Sequence, residues 1–455
     1  MHSSQSSNST SDNGDLKATS DSSQRNSYPV WKDAVTWVMR ILVGGTFLFS
    51  GFAKGVDPWG TFYKFEDYLQ AFGIAVPDNL VTVGAFLLCI LEFLTGFFIL
   101  FGCYRNAAPR ISAVIMAVML PLTLWIAISD PVADCGCFGD AFLISNWATF
   151  WKNVVLAAAV IWLLRHNSHA TALISPAFQW LAFLSSTLFI FIVAWWGHQV
   201  QPLVDFRPYK IGSPIIAEEN DAEEPEFIFI YEKDGVKKEF TDQDSIPSED
   251  EGWKFVERKD IIPEKGSNQT GEFRIWTSDD DEDVTEEVIL SAAPQLLVLI
   301  PSVEKVSAST TWKINALYDW AQAHDIDMIG IVASNSGNMT DWLDLSMPKY
   351  PVYISDDTSI KEVARGNPAI VYLEDGKVVW KSTLSALSDA NFEEADTKSD
   401  IHHFMTEPES VLRNLCFIYI CILAVLITIS LIPRLGNMFI VKRRVNRDDT
   451  APRSE

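Results

Sequence analysis

The chain has 455 residues, a hydrophobic share of 48% and a formal charge of −24, enough length for two or three domains. The negative charge gathers in residues 205–287 and 374–408; it excludes nucleic acid as the expected partner, because no basic stripe exists to meet phosphates. It reads instead as a hydrated, solubilising surface set between long apolar runs.

Residues 1–28 are rich in Ser, Asn, Asp and Gln. They bury too little to offset the entropy of ordering, so a disordered cytoplasmic tail is expected. No apolar run follows a basic start, which argues against a cleavable signal peptide. A helix needs about 20 mostly apolar residues to cross the hydrocarbon core. Six segments meet or approach that length: 34–53, 80–101, 111–129, 147–164, 177–197 and 412–432. Arg40 falls near the end of the first, where its side chain is expected to reach the interface.

Loop charges predict the orientation. Arg25, Lys32 and Arg40, then Arg105 and Arg110, then Arg165, then Arg434, Lys442, Arg443, Arg444 and Arg447 share one side if six spans alternate. Lys54 and Lys64 are the exceptions. The positive-inside rule then puts both termini in the cytoplasm, with 433–455 as a basic cytoplasmic tail. The expected location is a bacterial inner membrane, with the lipid bilayer as first partner and the soluble block in the periplasm.

Glu92 stands inside the second span, where a carboxylate is costly and so a functional candidate. Two readings stay open: a polar lock between helices, with Arg40 as ion-pair partner, or a proton or quinone site. The outward loop between the third and fourth spans reads Asp134-Cys135-Gly136-Cys137-Phe138-Gly139-Asp140. A disulfide across one residue closes a small, strained, easily reduced ring, and Gly136 gives the backbone freedom to form it. Asp134 and Asp140 raise the thiol pKa values, whereas the start of the next helix lowers them. Lys54 and Lys152 also lower them if the bundle brings these residues near. A redox pair, a structural loop and a metal site all remain open; copper(I) suits two thiolates, but no Met-rich or His-rich company supports it, and no metal is assigned. Cys89, Cys103, Cys416 and Cys421 read as small packing residues in or beside spans.

The Cys135-Gly136-Cys137-Phe138-Gly139 motif resembles the MauE branch of the DoxX/MauE superfamily. Residues Phe49 to Pro58 and Leu91 to Gly96, with Leu100-Phe101-Gly102, resemble that superfamily's first and second helices. The resemblance covers residues 34–165 and implies a four-helix membrane unit with a redox-associated role. It implies Cys135 and Cys137 as a redox pair, a thioredoxin-like partner or another periplasmic thiol protein or oxidoreductase, and, from DoxX-type relatives, a quinone as electron acceptor.

Residues 203–287 alternate short apolar strands with acidic turns. The runs 227–231 and 236–240 predict a hairpin through Asp234-Gly235, and 253–256 and 273–276 are further strand candidates. The acidic run 279–283 lacks EF-hand spacing. Residues 288–390 predict strands at 296–300, 328–332 and 350–354 alternating with helices at 310–324, 339–345 and 359–364. A hairpin at 368–373 and 378–381 follows, giving a layered α/β order. Asn367-Pro368-Ala369-Ile370-Val371-Tyr372-Leu373 and Asp375-Gly376-Lys377-Val378-Val379 resemble the thioredoxin-like fold, in its peroxiredoxin-like and periplasmic branch. That resemblance implies a cis peptide before Pro368. No cysteine occupies residues 301–309, where a redox member carries Cys-x-x-Cys, so the domain is expected to be degenerate and to bind or scaffold.

The expected architecture is an α-helical membrane bundle, a four-helix unit plus two further helices, with an extracytoplasmic α/β thioredoxin-like domain. The expected function is redox-associated, supporting thiol–disulfide exchange or quinone-linked electron transfer through Cys135, Cys137 and Glu92. The alternative is a non-catalytic scaffold whose soluble domain binds a periplasmic or membrane partner. A transporter is disfavoured by the few charges within the spans.

Overall fold

A computed structural model of the chain has six helices long and apolar enough to cross a membrane, which makes it a multi-pass protein in contact with the bilayer. The structure describes residues 30–130, 135–142, 144–167, 171–216, 226–233, 236–241, 254–261, 273–278, 282–289, 293–337, 339–387 and 408–448. The expected tail at 1–28, the turn at Asp234-Gly235, residues 279–281 of the acidic run, and Asp134 lie outside them.

In chain order the membrane part comprises α1 (Val30–Val56), α2 (Pro58–Ala71), α3 (Asp78–Phe101), α4 (Ala107–Ser129), a short extended segment β1 (Cys137–Asp140), α5 (Asn146–His166) and α6 (Gln179–Gln199). Exposed Val38, Ile41, Val114, Val118 and Leu188 cover its outer surface, which suits lipid tails. Trp147, Trp180 and Trp195 sit exposed near helix ends, the usual place for interfacial aromatics. Helices α1 and α3 pack backbone to backbone, because small residues meet across them. A Cβ on Gly96 would stand 2.2 Å from the Leu48 nitrogen, and one on Gly51 2.2 Å from the Phe93 nitrogen. These pairs also set the register: the helices run antiparallel, with Gly44 beside Leu100 and Gly51 beside Phe93.

Helix α2 is too polar to span and was not anticipated from hydropathy. Its start signal is local: Pro58 opens it, and the Asp57 carboxylate accepts from the Gly60 N–H at 3.0 Å.

Beyond α6 come β2 (Glu226–Lys233), β3 (Val236–Thr241) and β4 (Lys254–Ile261), an antiparallel sheet in the order β3-β2-β4. Next are α7 (Thr285–Ile289), β5 (Gln295–Ile300), α8 (Ala308–Ala323), β6 (Asp327–Ala333), α9 (Met339–Ser346), β7 (Val352–Ser355), α10 (Asp357–Val363), β8 (Ala369–Glu374) and β9 (Lys377–Thr383). Their sheet has the order β7-β6-β5-β8-β9. Strands β5, β6 and β7 are parallel; β8 and β9 are antiparallel.

Alternation along the central strand builds two cores. Leu296, Val298 and Ile300 face Ile314, Leu317 and Trp320 of α8. Leu297 and Leu299 face Ile360 and Val363 of α10, together with Tyr209, Ile215, Phe273 and Ile275 from ahead of the sheet. Residues 273–276 therefore contribute core side chains, and Trp276 makes only isolated bridges, to Asp283 and Ile354. Ser307 and Asp356 cap α8 and α10. The Asn367–Pro368 peptide is cis. The last helix, α11 (Pro408–Asp448), holds the sixth span and continues past it.

Candidate functional site

Ser50 and Lys54 stand four residues apart on α1, so both face the same side. Across the tight contact with α3 they meet Glu92. Lys54 Nζ lies 2.7 Å from Glu92 Oε2, 2.7 Å from Ser50 Oγ and 2.7 Å from the Cys137 carbonyl oxygen. An ammonium group has three protons, and this one uses all three. Ser50 Oγ lies 2.8 Å from Glu92 Oε2 and 2.5 Å from the Cys137 carbonyl. Both partners of the ion pair are 5% exposed, so each charge depends on the other for compensation.

This arrangement corrects one expectation about Arg40, which does not pair with Glu92. It is fully buried, with Nε donating to Asn167 Oδ1 at 2.6 Å and Nη1 to the Thr171 carbonyl at 2.8 Å. The reason is register. Glu92 lies level with Gly51 and Phe52, some twelve residues from Arg40 on α1, or roughly 18 Å at the α-helical rise. Lys54, read as a loop charge, is the residue that arrives instead.

The clamp fixes one end of the cysteine loop. Tyr68 of α2 fixes another point, donating to the Cys135 carbonyl at 2.7 Å. Between them Gly136 has φ +61°, and a Cβ there would meet Lys64 Cγ at 2.9 Å; a side chain fits neither the backbone angle nor the space. Cys135 and Cys137 are both free thiols, each 9% exposed. The Cys137 thiol donates to Cys135 and so lowers the Cys135 pKa to about 7; burial opposes this, and the Cys137 N–H, Lys152 and the Thr149 hydroxyl add to it. Donating that hydrogen bond, together with burial, pushes Cys137 well above the ordinary thiol value. The pair thus favours one shared proton, with the negative charge on Cys135.

The loop's far end meets the sheet domain. Arg365 pairs with Asp140, and also with Asp57 at 2.9 Å. Lys305 reaches Glu66 of α2 at 3.2 Å and Asp78 of α3 at 2.7 Å. The cysteine loop and the sheet domain therefore lie on the same side of the bundle. His198 stacks on Trp59 at a centroid distance of 4.8 Å. Pro368 is three residues from Arg365 and lines a different cleft, of about 310 Å³, with Trp59, Trp312, Asn367 and Leu384.

A cavity of about 80 Å³ adjoins the thiols, lined by Lys54, Thr61, Tyr68, Glu92, Cys135 and Cys137, among others. A larger groove of about 370 Å³ runs among α1, α3, α6 and α11. Its one hydroxyl, Tyr419, is engaged by Ser186 at 2.7 Å. Among the described residues no cluster of three or more His, Cys, Asp or Glu side chains is placed to hold a metal ion.

Glu92, Cys135 and Cys137 are thus brought together, whereas Arg40 and Pro368 stand apart from them. Sequence reasoning missed Ser50, Tyr68, Thr149 and Arg365. Only Ser50 carried a usable local signal, its spacing of four from Lys54.

Residues 32–166 match the family described as methylamine utilisation protein MauE. That stretch holds α1 to α5 and the cysteine loop. Residues 225–265 match a domain of unknown function (DUF8463), which takes in the β2–β4 sheet. No curated protein matches the chain.

Proposed function

We propose that Cys135 and Cys137 form a redox pair that exchanges disulfides with an extracytoplasmic protein partner, in a MauE-type membrane unit of the wider DoxX/MauE kind. The carrying observation is the pair itself: two adjacent thiols, one near pKa 7 and one raised, in a loop that Lys54 and Tyr68 hold by its carbonyls. A thiolate attacks best when its pKa is close to ambient pH. The Cys135 thiolate attacks one sulfur of a partner disulfide, forming a mixed disulfide and releasing the other sulfur as a thiolate. Cys137 then gives up its proton and attacks the Cys135 sulfur. The pair ends as a disulfide and the partner as a dithiol, two electrons having moved to the partner; the reverse sequence oxidises a partner dithiol. Glu92, held beside the Cys137 carbonyl, is the proposed proton acceptor.

A quinone does not fit the thiol-side cavity. Its 80 Å³ is about half of a cavity that takes benzene, and the larger groove's side-chain donors are the Tyr419 hydroxyl, engaged by Ser186, and the weakly donating Cys416 thiol. No step is routed through a quinone.

The soluble unit is read as a degenerate thioredoxin-like domain, supported by its β7-β6-β5-β8-β9 order and the hairpin after Pro368. The orientation is read from loop charges as cytoplasmic termini and a periplasmic domain in a bacterial inner membrane. A second reading, a non-catalytic scaffold, is favoured by the absence of cysteine from residues 138–415 and by the 310 Å³ cleft beside exposed Trp312. Thiol trapping with a mass tag, in membranes poised at different potentials, separates the two. The redox reading expects Cys135 and Cys137 to change state together. A pair that never changes state, or a Cys135→Ser/Cys137→Ser variant without effect on cellular disulfide status, leaves the scaffold reading.

A further inference from the structure

We propose that Arg365, supplied by the sheet domain, is a positioning residue for the Cys135–Cys137 pair, so that docking of that domain and reactivity of the thiols are coupled. The inference rests on the redox reading only for its biological meaning; the coupling is a property of the reduced thiols.

Arg365 touches both halves of the cysteine cradle. One half is the segment Cys137–Asp140. Its first residue is clamped at the carbonyl by Lys54 and Ser50, and its last residue is bound by the Arg365 guanidinium. The two anchors are three residues apart, and the segment between them turns at Gly139 (φ +56°), whose N–H donates to the Gly136 carbonyl at 3.1 Å, so fixing both ends leaves little slack. The other half is α2. Asp57 caps α2 through the Gly60 N–H and accepts from Arg365 Nε at 2.9 Å. Helix α2 in turn places Lys64 against Gly136 and the Tyr68 hydroxyl on the Cys135 carbonyl.

The guanidinium is itself immobilised. Nη1 donates to the Lys361 carbonyl at 3.0 Å, and the Tyr63 ring lies 5.4 Å from its centre. The Arg365 N–H donates to Gln201 Oε1 at 3.1 Å, and Gln201 Nε2 donates to the Arg365 carbonyl at 2.6 Å. Gln201 follows α6, so the residue is tied to the bundle by main chain as well as by charge. The Arg365 side chain is 7% exposed and that of Asp57 9%, so water screens this pair little, whereas Asp140 is 29% exposed. Without Arg365, Asp57 and Asp140 face each other uncompensated, and the loop loses its outer anchor.

Coupling is reciprocal. If the docked domain favours one state of the loop, a change in the loop alters docking by the same factor. This gives a domain without cysteines a part in thiol chemistry. Among the described residues, the charged and titratable groups around the thiols are Lys54 of α1, Lys64 and Tyr68 of α2, Glu92 of α3, Lys152 of α5 and Asp140 of the loop itself, with Arg365 of the sheet domain reaching them through Asp140.

The test uses the full chain in membranes. The alkylation rate of Cys135 is measured against pH by mass tagging in wild type, Arg365→Gln, Arg365→Lys, Asp140→Asn and the Arg365→Gln/Asp140→Asn pair, alongside the midpoint potential of the pair in dithiothreitol buffers. Arg365→Gln is expected to change the rate at pH 7 by about fivefold or more and to move the pH profile, with Arg365→Lys recovering part of the change. The two single changes are expected to be non-additive in the double variant, as for groups in direct contact. Wild-type profiles and potential in Arg365→Gln, or simple additivity, overturn the proposal. If Arg365→Gln does not accumulate, Arg365→Lys and Asp140→Asn decide, and unchanged profiles in both overturn it. A wild-type pair that never changes redox state sinks the redox reading alone, because the alkylation profile is read on reduced thiols.

Discussion

At the scale of single residues, the two thiols are chemically unequal. Cys135 holds its negative charge because Cys137 and Lys152 stabilise it, and its pKa is about 7. Thiolate appears as pH rises through that value. Alkylation in a Cys137→Ala variant, which removes the donor, should therefore start at higher pH than in wild type. A Cys135→Ser variant should leave Cys137 slow until well into alkaline pH. Peptide-resolved alkylation rates from pH 5 to 10, roughly the range in which thiols titrate, check both statements. The buried Lys54–Glu92 pair is the second residue-scale feature. Removing one partner strands the other charge, so Lys54→Met or Glu92→Leu should each cost about 3–5 kcal/mol. The double change should cost far less than the sum, read by unfolding of the detergent-solubilised protein. Glu92 was legible as a candidate because a carboxylate in an apolar run is conspicuous. Its partner was not legible from hydropathy, since Lys54 lies where the apolar run ends and looks like a loop charge.

At the scale of elements, the packing of α1 on α3 depends on three glycines, Gly44, Gly51 and Gly96. A Cβ on Gly96 meets the Leu48 nitrogen at 2.2 Å and the Gly44 oxygen at 2.7 Å, both main-chain atoms that cannot turn aside. Gly96→Ala should separate α1 from α3 and destabilise the bundle by about 1–3 kcal/mol or more, seen as lower thermal stability and a looser Lys54–Glu92 contact. By contrast Lys305 is 44% exposed, so Lys305→Ala should cost no more than about 1 kcal/mol, and less at high salt. Comparing unfolding at low and high ionic strength tests that ranking. Strands β5, β6, β8 and β9 and helices α8 to α10 were legible because their periodicity is local. Helix α2 was not: fourteen residues of mixed polarity look like a loop until a surface on each side of it is known.

At the scale of the whole molecule, the direct contacts of Arg365 with Asp140 and of Lys305 with α2 put the cysteine loop and the sheet domain on one face. A membrane-impermeant thiol reagent should label Phe142→Cys and Ser213→Cys from the same side, and Asn106→Cys only from the other. Labelling of Phe142→Cys and Asn106→Cys from one side would break the six-span topology. If the loop charges govern insertion, the labelled side of Phe142→Cys is the extracytoplasmic one.

The sequence by itself determined the six apolar spans, the β2–β3 hairpin, the alternating order of the sheet domain and the closeness of Cys135 to Cys137. Each is written in neighbouring residues, as length, period or spacing. Tertiary structure alone decided which charge meets Glu92, where Arg40 goes, and that Arg365 bridges Asp57 and Asp140. Those outcomes depend on helix register and on the docking of elements more than two hundred residues apart in the chain, and no local pattern encodes which buried charge will find which partner.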